Sequence, residues 1–418
     1  MSPPAASTAY RHLTQQEADV ICAKHDRLWA SKPGGARAVF SWCDLTGFDF
    51  SGRNLADADF TGAILHDANL AGARLDHANM FGADMQDCNL TNASMKRVDL
   101  RGACLRGANL TNADLFEADL REGSIASIDE VRGLRVLAPA KRASEVQGAI
   151  LMGANLERSK LSGVVAMRAD FTDAILKDAK LVRANLKQAT LQGCDLAGAD
   201  LSGADLSGAN LRDAILVGAR TFSCKFDEAD MSGALTDSPT GKDVVDLPYD
   251  QMLKDHALWC ESGGAQGAPS IFDGADLRKL SSIGGYNLTA LSAKGAIFYG
   301  LNMEGVQMQG ARLEGADLRG CNLRRADLRG ARLTGAKLIA SDLRESLMGP
   351  LLIGNNRILP CDLTGATLKG ADCSGADLRH AVLARADLSR ANFTGAMLKQ
   401  ADIAGATLHG ARGLENLF

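Results

Sequence analysis

Aromatic residues are scarce in this chain: Phe, Trp and Tyr together make up 5% of its 418 residues. A large globular core usually needs more bulky rings than this, whereas a core of repeated leucine and alanine does not. The length alone would allow about two or three ordinary domains. The scarcity of rings instead favours a core assembled from small, repeated apolar residues.

The chain also lacks long hydrophobic runs and a strong charge of one sign. No stretch approaches the roughly eighteen apolar residues of a transmembrane helix. The first residues, MSPPAASTAY, have neither a basic segment nor an apolar one, unlike a secretory signal. The formal net charge of −4 points neither to nucleic acid nor to a membrane. We therefore expect a cytoplasmic protein with a disordered tail over 1–11.

A large apolar residue recurs at every fifth position. A small residue lies two positions before most of these large residues, as Ala68 does before Leu70, and Asp or Asn often stands between them. An unbroken internal repeat of this kind dominates any fold prediction. In the first run the large residues, here called centres, are Leu45, Phe50, Leu55, Phe60, Leu65, Leu70, Leu75, Met80, Met85, Leu90, Met95, Leu100, Leu105, Leu110, Leu115, Leu120 and Ile125.

A period of five residues fits neither an α-helix nor an ordinary strand. An α-helix would distribute the centres around its circumference, because its period is 3.6 residues. In an extended segment, a centre and the small residue two positions earlier point to the same side. The two residues after each centre must then turn a corner, which frequent glycines suit. The pattern predicts a coil with one large and one small inward residue on each side.

On this A-(D/N)-L-x-x pattern, the sequence resembles the pentapeptide-repeat family over most of its length. The resemblance implies a mainly β fold, a right-handed quadrilateral β-helix or solenoid, with four pentapeptides and about 20 residues per coil. Residues one coil apart should stack about 4.8 Å from each other, as neighbouring β-strands do. Asn69, Asn89 and Asn109 would then form an amide ladder with a structural role.

The first interruption of the repeat is the segment 126–146. A second run, with centres from Leu151 to Met231, follows it and is shifted by one residue relative to the first. We expect 126–146 to be a loop that leaves the coil at one corner, with the β-helix resuming beneath it.

A second interruption, 237–248, has the composition of a linker. The third run settles into frame at Leu288 and continues to the end of the sequence. Within this run the stretch GPLLIGNNRILP has an unusual composition, but Ile353 and Ile358 keep the five-residue spacing. We therefore expect this stretch to stay within the coil as an irregular corner.

A short segment without the repeat precedes each half, and each contains Leu-Trp. Trp29 and Trp259 occupy equivalent places in the two segments, because each lies five positions before a glycine, Gly34 or Gly264. The end of a β-helix exposes strand edges and apolar side chains, so an amphipathic helix is needed to cover it. We predict two tandem β-helical segments, each preceded by a short amphipathic α-helical cap. The resulting units are 12–236 and 249–418.

Local signals support both helices. Thr14 and Glu17 form a capping box, and Asp250 is expected to cap the second helix. The apolar stripe of the first helix comprises Ala18, Ile21, His25 and Leu28. One face of the second helix carries Met252, His256 and Trp259. We expect the two histidines to be polar edges of these helices.

The sequence shows no motif for catalysis, cofactor binding or metal binding. Its seven histidines form no H-x-x-x-H pair, and its ten cysteines include no CxxC. We therefore predict a non-enzymatic protein without a cofactor. Cys373 occupies a centre position, and six cysteines occupy the small-residue position, as expected for buried thiols: Cys43, Cys88, Cys194, Cys224, Cys321 and Cys361.

Charge is distributed unevenly along the sequence. Residues 41–95 include eight acidic and two basic residues, whereas 288–418 include 12 acidic and 16 basic ones. Residues 20 apart should share a column, as Arg324 and Arg344 would. The pattern fits a solvated, mildly dipolar surface as well as a docking surface. The candidate interaction surface comprises Arg319, Arg324, Arg325, Arg329, Arg344, Asp67 and Asp87.

The leading hypothesis is a protein-interaction scaffold that binds a protein partner through its faces, loop or ends. Some family members resemble duplex DNA and bind DNA gyrase or topoisomerase IV, so modulation of a type II topoisomerase is the alternative. That role needs a dense acidic face, which the mixed charge does not favour. A third hypothesis is phosphate binding by the cluster at Arg324 and Arg325. Neither a membrane nor direct nucleic-acid binding is expected from the net charge.

The sequence after the last coil contains no long helix. A bare final coil would be adhesive, so Leu414, Leu417 and Phe418 are expected to cover it or to form an end-to-end homodimer. Trp29 and Trp259 are the corresponding candidates for contacts at the capped ends.

Overall fold

The computed structural model describes residues 10–124, 127–129, 133–135, 141–238, 248–280, 282–354 and 357–414. The chain forms two compact units, Met1–Ser238 and Pro239–Phe418. In the described ranges, each unit has one α-helix followed by a stack of β-coils. Of the predicted tail 1–11, residues 1–9 lie outside the described part. Within that part, no helix is long and apolar enough to cross a membrane.

The first unit begins with strand β1 (Arg11–His12), which pairs in parallel with β2 (Cys43–Asp44). Helix α1 (Gln15–Trp29) lies between these strands in sequence. The hydroxyl of Thr14 accepts a hydrogen bond from the Glu17 amide, and the Glu17 carboxylate accepts one from the Thr14 amide. The predicted capping box is therefore confirmed, and it satisfies amides that the first turn leaves unpaired.

The coils share one hydrogen-bond pattern, which the pentapeptide around Leu70 illustrates. The Leu70 amide donates to the Asn89 carbonyl in the next coil at 2.7 Å, and the Asn89 amide donates to the Ala68 carbonyl at 3.0 Å. Parallel bridges thus join residues 20 apart, such as Asn69 and Asn89. Nearly all centres and small residues are buried, so leucine and alanine fill the interior of the coils.

Each corner of a coil requires a backbone conformation that side chains usually disfavour. The second residue after a centre has a positive φ, as Gly72 does at 64°. Glycine adopts this conformation without a Cβ clash. The Ala73 amide then donates to the Leu70 carbonyl at 3.0 Å and closes the turn. The frequent glycines therefore have a local conformational cause.

The predicted amide ladder is present over part of its expected length. Asn89 Nδ2 donates to Asn69 Oδ1 at 3.0 Å, and Asn69 Nδ2 donates to Asp49 Oδ1 at 3.0 Å. Asn109 is in register with Asn89, and its Oδ1 accepts from Thr111 within its own turn. These bonds satisfy polar side chains between coils and support the stacking register.

An insertion interrupts the first unit between the bridge residues Asp119 and Glu145. Bridge partners in this unit are 20 apart, as Asp84 and Cys104 are, except in the four pairs that span the insertion, which are 41 apart, as Cys104 and Glu145 are. The insertion therefore amounts to four pentapeptides and one further residue, which explains the shift of the second run. The coil resumes at Ser144, which is already buried. The predicted loop, 126–146, therefore ends too late.

This first insertion consists of antiparallel strand pairs. Strand β3 (Gly123–Ser124) pairs with β6 (Lys141–Arg142), and β4 (Ser127–Asp129) pairs with β5 (Gly133–Arg135). Their antiparallel direction differs from the parallel bridges of the coils. The chain thus leaves the stack and returns to it at the same corner.

The second unit begins with helix α2 (Tyr249–Glu261). Its N-cap residue is Pro248, which forms no side-chain capping bond. The prediction of Asp250 as the cap is wrong because this residue lies inside the first turn, where its charge favours the positive end of the helix dipole. The coils begin before the predicted start of the frame, with a bridge from Ile271 to Ser292 that is one residue wider than the usual spacing.

The stretch that was expected to stay within the coil leaves it as a β-hairpin, so this prediction is wrong. Strand β7 (Leu351–Ile353) pairs antiparallel with β8 (Arg357–Leu359). The partner spacing rises from 20 to 30 across it, so two pentapeptides are added. An insertion of whole pentapeptides preserves the phase, although Ile353 and Ile358 are exposed.

Candidate interaction surfaces

Each Asp-Leu-Arg tripeptide of the sequence forms an ion pair across its own centre. Arg329 Nε and Nη2 donate to the two Asp327 oxygens at 2.9 and 2.6 Å, and the Arg329 amide donates to Asp327 Oδ1 at 3.2 Å. Residues two apart in an extended segment share a face, which places the guanidinium against the carboxylate. The seven pairs are Asp99–Arg101, Asp119–Arg121, Asp276–Arg278, Asp317–Arg319, Asp327–Arg329, Asp342–Arg344 and Asp377–Arg379.

Three of the basic residues in the candidate surface belong to these tripeptides, namely Arg319, Arg329 and Arg344. Each is balanced by a carboxylate two residues away. Hydrogen bonds from Arg344 lower the pKa of Asp342, so this partner is ionised at neutral pH. A count of formal charges therefore overstates the basic character of this region.

Arg319 does not contribute to an accessible surface, and its inclusion among the candidate surface residues is wrong. Only 2% of its side chain is exposed, compared with 45% for Arg344 in the same kind of pair. Tyr299 and Ile339 occupy the equivalent corner position in the preceding and following coils. Arg319 therefore lies between two large side chains of the neighbouring coils.

Arg324 and Arg325 share one acidic partner. Arg324 Nη2 and Arg325 Nε donate to the two oxygens of Glu345 at 3.1 and 2.7 Å. The Arg325 amide also donates to the Arg344 carbonyl, which places Arg324 and Arg344 in consecutive coils as predicted. Phosphate bound at this corner would have to compete with Glu345.

Asp67 and Asp87 occupy the same corner in consecutive coils and are exposed. Both have a positive φ, 54° and 56°, at a position that glycine often holds. Aspartate tolerates this left-handed conformation better than most residues. Turn geometry therefore accounts for both residues without a ligand.

Each helix contains a buried histidine. His25 and His256 are fully buried, so the prediction that they are polar edges is wrong. His25 Nδ1 accepts from the Ala38 amide at 3.1 Å, and His256 Nδ1 accepts from the Ser270 amide at 2.9 Å. Burial is the main cause that lowers the pKa of both imidazoles below the ordinary value of 6.5. Each neutral ring links its helix to the segment that enters the first coil.

The buried face of α1 differs from the predicted stripe. It comprises Ala18, Cys22 and His25, whereas Leu28 is 46% exposed. Trp29 is also partly exposed, and its indole nitrogen lies 3.2 Å from His25 Nε2. Trp29 therefore packs beside the histidine at the end of the helix instead of filling the core.

The buried face of α2 is likewise displaced from the predicted one. It comprises Tyr249, Leu253 and His256, while Met252 and Trp259 are only partly buried. The rings of His256 and Trp259 lie 5.6 Å apart. A tryptophan ring thus lies beside the buried histidine in both helices.

The cysteines are buried thiols with two partly exposed members, Cys224 and Cys260. Burial raises the pKa of Cys88 and Cys321 to about 12. Among the described residues, no group of three or more His, Cys, Asp or Glu side chains could hold a metal ion. These thiols are therefore placed for packing.

We expect iodoacetamide to modify only Cys224 and Cys260 in the folded protein under mildly alkaline conditions. The other eight thiols should react only after denaturation, because burial limits both access and thiolate formation. Peptide mass spectrometry before and after denaturation would test this. Rapid labelling of Cys88 in the native protein would contradict it.

The hairpin of β7 and β8 is a surface feature that the sequence reasoning missed. Its side chains Leu352 and Ile358 are 68% and 50% exposed. A signal was available, because Leu351 stands two positions before Ile353, where the repeat normally has a small residue. Pro350 also stands at a corner position that requires a positive φ, which proline cannot adopt.

These coils define a β-helix assembled from five-residue units, and comparison with known proteins agrees. A family model for pentapeptide repeats matches more than half of the chain, and the chain belongs to the pentapeptide-repeat family. The eight matched copies cover 36–70, 54–92, 93–124, 149–188, 184–220, 307–344, 361–400 and 371–410.

Several solved structures are similar to the chain. The pentapeptide repeat protein Rfr23 from the cyanobacterium Cyanothece 51142 is 28% identical, with 33% of this chain and 90% of that chain covered and a TM-score of 0.24. HetL, involved in heterocyst differentiation regulation in Nostoc sp. strain PCC 7120, is 24% identical, with 81% and 91% covered and a TM-score of 0.14. QnrB1, a plasmid-mediated fluoroquinolone resistance protein, is 15% identical, with 55% and 98% covered and a TM-score of 0.25. No curated protein sequence matches significantly.

Proposed function

We propose that this protein is a non-enzymatic interaction scaffold that binds a protein partner in the cytoplasm. The observation that carries the proposal is that both insertions leave the stack while the coils on either side remain bonded. The Leu105 amide donates to the Glu145 carbonyl at 2.6 Å across the first insertion, and the Leu333 amide donates to the Asp362 carbonyl at 2.6 Å across the second. The inserted strands are therefore not needed to close the stack and are available for binding.

We also propose that α1 and α2 cap the first coil of their units. The Gln15 amide group donates to the Asp49 carbonyl, and its oxygen accepts from the Asp49 amide, both at 3.0 Å. In the second helix, the Tyr249 ring lies 5.9 Å from the Phe272 ring. These contacts support two tandem capped β-helical segments, 12–236 and 249–418. Residues 237–248 are the linker between them.

Affinity capture from a lysate with the intact protein as bait tests the scaffold proposal. We expect a reproducible protein partner whose recovery falls when an insertion is removed. Deletion of 123–143 removes the whole first insertion and should restore the regular spacing of 20 residues between bridge partners. Failure of the intact protein to retain any specific partner would contradict the scaffold function.

Modulation of a type II topoisomerase by DNA mimicry is the alternative. A mimic needs a continuous acidic face. Asp99 and Asp119 occupy one column, but Arg101 and Arg121 pair with them, and Lys160 follows in the same column. In a gyrase supercoiling assay, the scaffold proposal predicts no change at equimolar protein. Inhibition or protection at low stoichiometry would favour mimicry.

The final coil of the second unit supports the proposed end-to-end homodimer. Ile403, Leu408 and Leu414 are only partly buried there, whereas Leu417 and Phe418 lie outside the described residues. We expect a dimer at micromolar concentration that deletion of 413–418 weakens, because the deletion removes apolar contact area. Sedimentation of both proteins provides the measurement. A monomer that is unchanged by the deletion would contradict this proposal.

A further inference from the structure

The hairpin of β7 and β8 is anchored to the coil by one of its faces. Leu351 and Leu359 are cross-strand partners, and both approach Gly330. A Cβ at Gly330 would lie 2.8 Å from Leu351 Cβ and 3.1 Å from a methyl group of Leu359. A two-stranded hairpin is marginally stable alone, so this contact holds it in place.

The opposite face of the hairpin is apolar and uncovered. Leu352 and Ile358 form the next cross-strand pair, and adjacent pairs alternate between the two faces of a hairpin. Both side chains are therefore directed away from the anchored face, in agreement with their exposure. Two large aliphatic side chains side by side provide a compact apolar contact area.

Three exposed arginines lie beside the hairpin, in it or in the coils that anchor it: Arg312, Arg332 and Arg357. Arg312 and Arg332 each follow by two residues a glycine that approaches Leu351, and Arg357 is paired with Ile353 in the hairpin. Within the described ranges none of the three forms an ion pair or a side-chain hydrogen bond, although Asp273 attracts Arg312 and Asp362 attracts Arg332 at longer range. Their charges differ in this respect from those of the Asp-Leu-Arg tripeptides.

The carboxylate in register with Arg332 is Asp362, whose oxygens are engaged elsewhere. Asp362 accepts from the Thr334 hydroxyl at 3.1 Å and from the Thr364 amide at 3.0 Å. Asp362 reduces the local positive charge but does not form an ion pair with Arg332. The guanidinium therefore remains available to a second carboxylate.

We propose that Leu352 and Ile358, together with the three arginines beside the hairpin, form a docking surface for an acidic protein segment that also carries apolar side chains. This inference rests on the proposed scaffold function and specifies its binding site and the chemistry of its partner. The aliphatic pair contributes affinity through buried area, and the arginines select carboxylates by charge and fork geometry. An aliphatic pair offers no comparable gain to a nucleic-acid backbone, so an acidic protein segment fits better.

Fluorescence anisotropy with the full chain tests the chemistry of the partner. The probe is a labelled peptide repeating Glu-Leu-Leu-Glu, compared with peptides repeating Lys-Leu-Leu-Lys and Glu-Ser-Ser-Glu and with a DNA duplex. We expect the first peptide to bind at least about tenfold more tightly than the other probes and to weaken as salt is added. Absence of its binding, or equal binding of the basic peptide or the duplex, would overturn the proposal.

Substitutions locate the site. L352S/I358S should weaken binding of the acidic apolar peptide at least about tenfold, and R332Q/R357Q should also weaken it and flatten its salt dependence. The matched control is Phe222→Ser in the first unit, because Phe222 is 80% exposed but lies in the other unit. Unchanged binding by L352S/I358S would overturn the proposal.

Removal of the hairpin separates loss of the site from loss of the fold. Deletion of 351–360 takes out two pentapeptide lengths and restores the regular spacing between bridge partners. Pro350→Gly is included because the corner it would occupy requires a positive φ. We expect an unchanged circular dichroism spectrum and no binding of the peptide. Full binding by this folded variant would contradict the assigned site.

Two glycines provide a test of how the site is held. Gly330 and Gly335 both have a φ of +66°, but only Gly330 contacts the hairpin, and nothing lies within 4 Å of a Cβ at Gly335. Gly330→Ala should displace the hairpin and weaken peptide binding several-fold, whereas Gly335→Ala should leave it unchanged. Equal effects of the two substitutions would contradict the anchoring contact.

Capture experiments distinguish failure of this site from failure of the scaffold proposal. A specific partner retained equally by the wild type and by L352S/I358S would overturn the docking surface and leave the scaffold function standing. A partner lost by L352S/I358S but retained by Phe222→Ser would support both.

Discussion

Asp317→Asn is expected to destabilise the second unit by about 3–5 kcal/mol, the usual consequence of removing the charge that balances a buried ion. Only 2% of the Arg319 side chain is exposed, and its Nε and Nη2 donate to Asp317 at 2.8 and 2.6 Å. Asparagine has nearly the same shape but no charge. Denaturant unfolding followed by hydrogen exchange of peptides covering 311–330 would measure the loss.

The matched control for this experiment is Asp342→Asn. The tripeptide Asp342-Leu343-Arg344 has the same bonds, but 45% of the Arg344 side chain is exposed. Water and Asp372, which lies 3.9 Å from Arg344 Nε, can replace the lost partner there, so we expect little change in stability. Equal effects of the two substitutions would show that burial does not govern this pair.

A double substitution separates the charge from the packing. In D317L/R319M both charges are removed and apolar volume is retained, so much of the stability lost in Asp317→Asn should return. This follows because both residues are buried. A double variant less stable than Asp317→Asn would indicate that the ion pair itself favours the fold.

Stability of both units is expected to fall as the pH is lowered from about 7 to 5. Burial lowers the pKa of His25 and His256 below 6.5, so the unfolded chain binds protons at a higher pH than the folded chain does. The contribution of the two histidines to the free energy of unfolding is fully present above pH 6.5. It is lost as the pH falls toward their pKa in the folded protein. Each histidine contributes a slope of at most about 1.4 kcal/mol per pH unit in that interval.

The charged groups around the two histidines moderate this effect. Asp26 and Asp57 favour the protonated form of His25, and Arg37 opposes it. For His256, the Thr289 carbonyl favours the protonated form. These influences are smaller than that of burial, so the direction of the pKa shift is the same at both sites.

The control is H25Q/H256Q. A glutamine side-chain oxygen can accept the hydrogen bonds that the Ala38 and Ser270 amides donate, but glutamine takes up no proton in this pH range. We expect the double variant to lose the part of the pH dependence that arises in the histidine range. Aspartates whose pKa is lowered, such as Asp44, act at lower pH and should be unaffected. A pH profile identical to that of the wild type would contradict the role assigned to these histidines.

The repeat, the inward residues and the stacking register could be predicted from the sequence. Each pentapeptide contains its own signal, because Leu70 and Ala68 must both face inward and the corner at Gly72 must adopt a positive φ. The capping box at Thr14 is equally local. Such features depend on residues a few positions apart, so pattern and spacing are sufficient.

The insertions were only partly predictable. A break in phase reveals an insertion only when its length is not a multiple of five, as for the first, which adds one residue to four pentapeptides. The second adds two whole pentapeptides and left Ile353 and Ile358 in phase, so periodicity could not distinguish them from centres. Two signals remained: a large residue, Leu351, at a position that needs a small one, and a proline, Pro350, at a corner that needs a positive φ. These steric conflicts had to be given more weight than the regular five-residue spacing.

The burial of Arg319 depended on contacts that no local pattern contains. Arg319 and Arg344 each end an Asp-Leu-Arg tripeptide and form the same bonds to its aspartate, yet 2% of the Arg319 side chain is exposed against 45% of the Arg344 side chain. Their neighbours across the stack lie about one coil away in sequence, where Tyr299 and Ile339 flank Arg319. Local chemistry therefore established the coil and its internal ion pairs. Which charges remain accessible, and which face of the hairpin is exposed, was decided by stacking, because solvent access depends on residues that are distant in sequence.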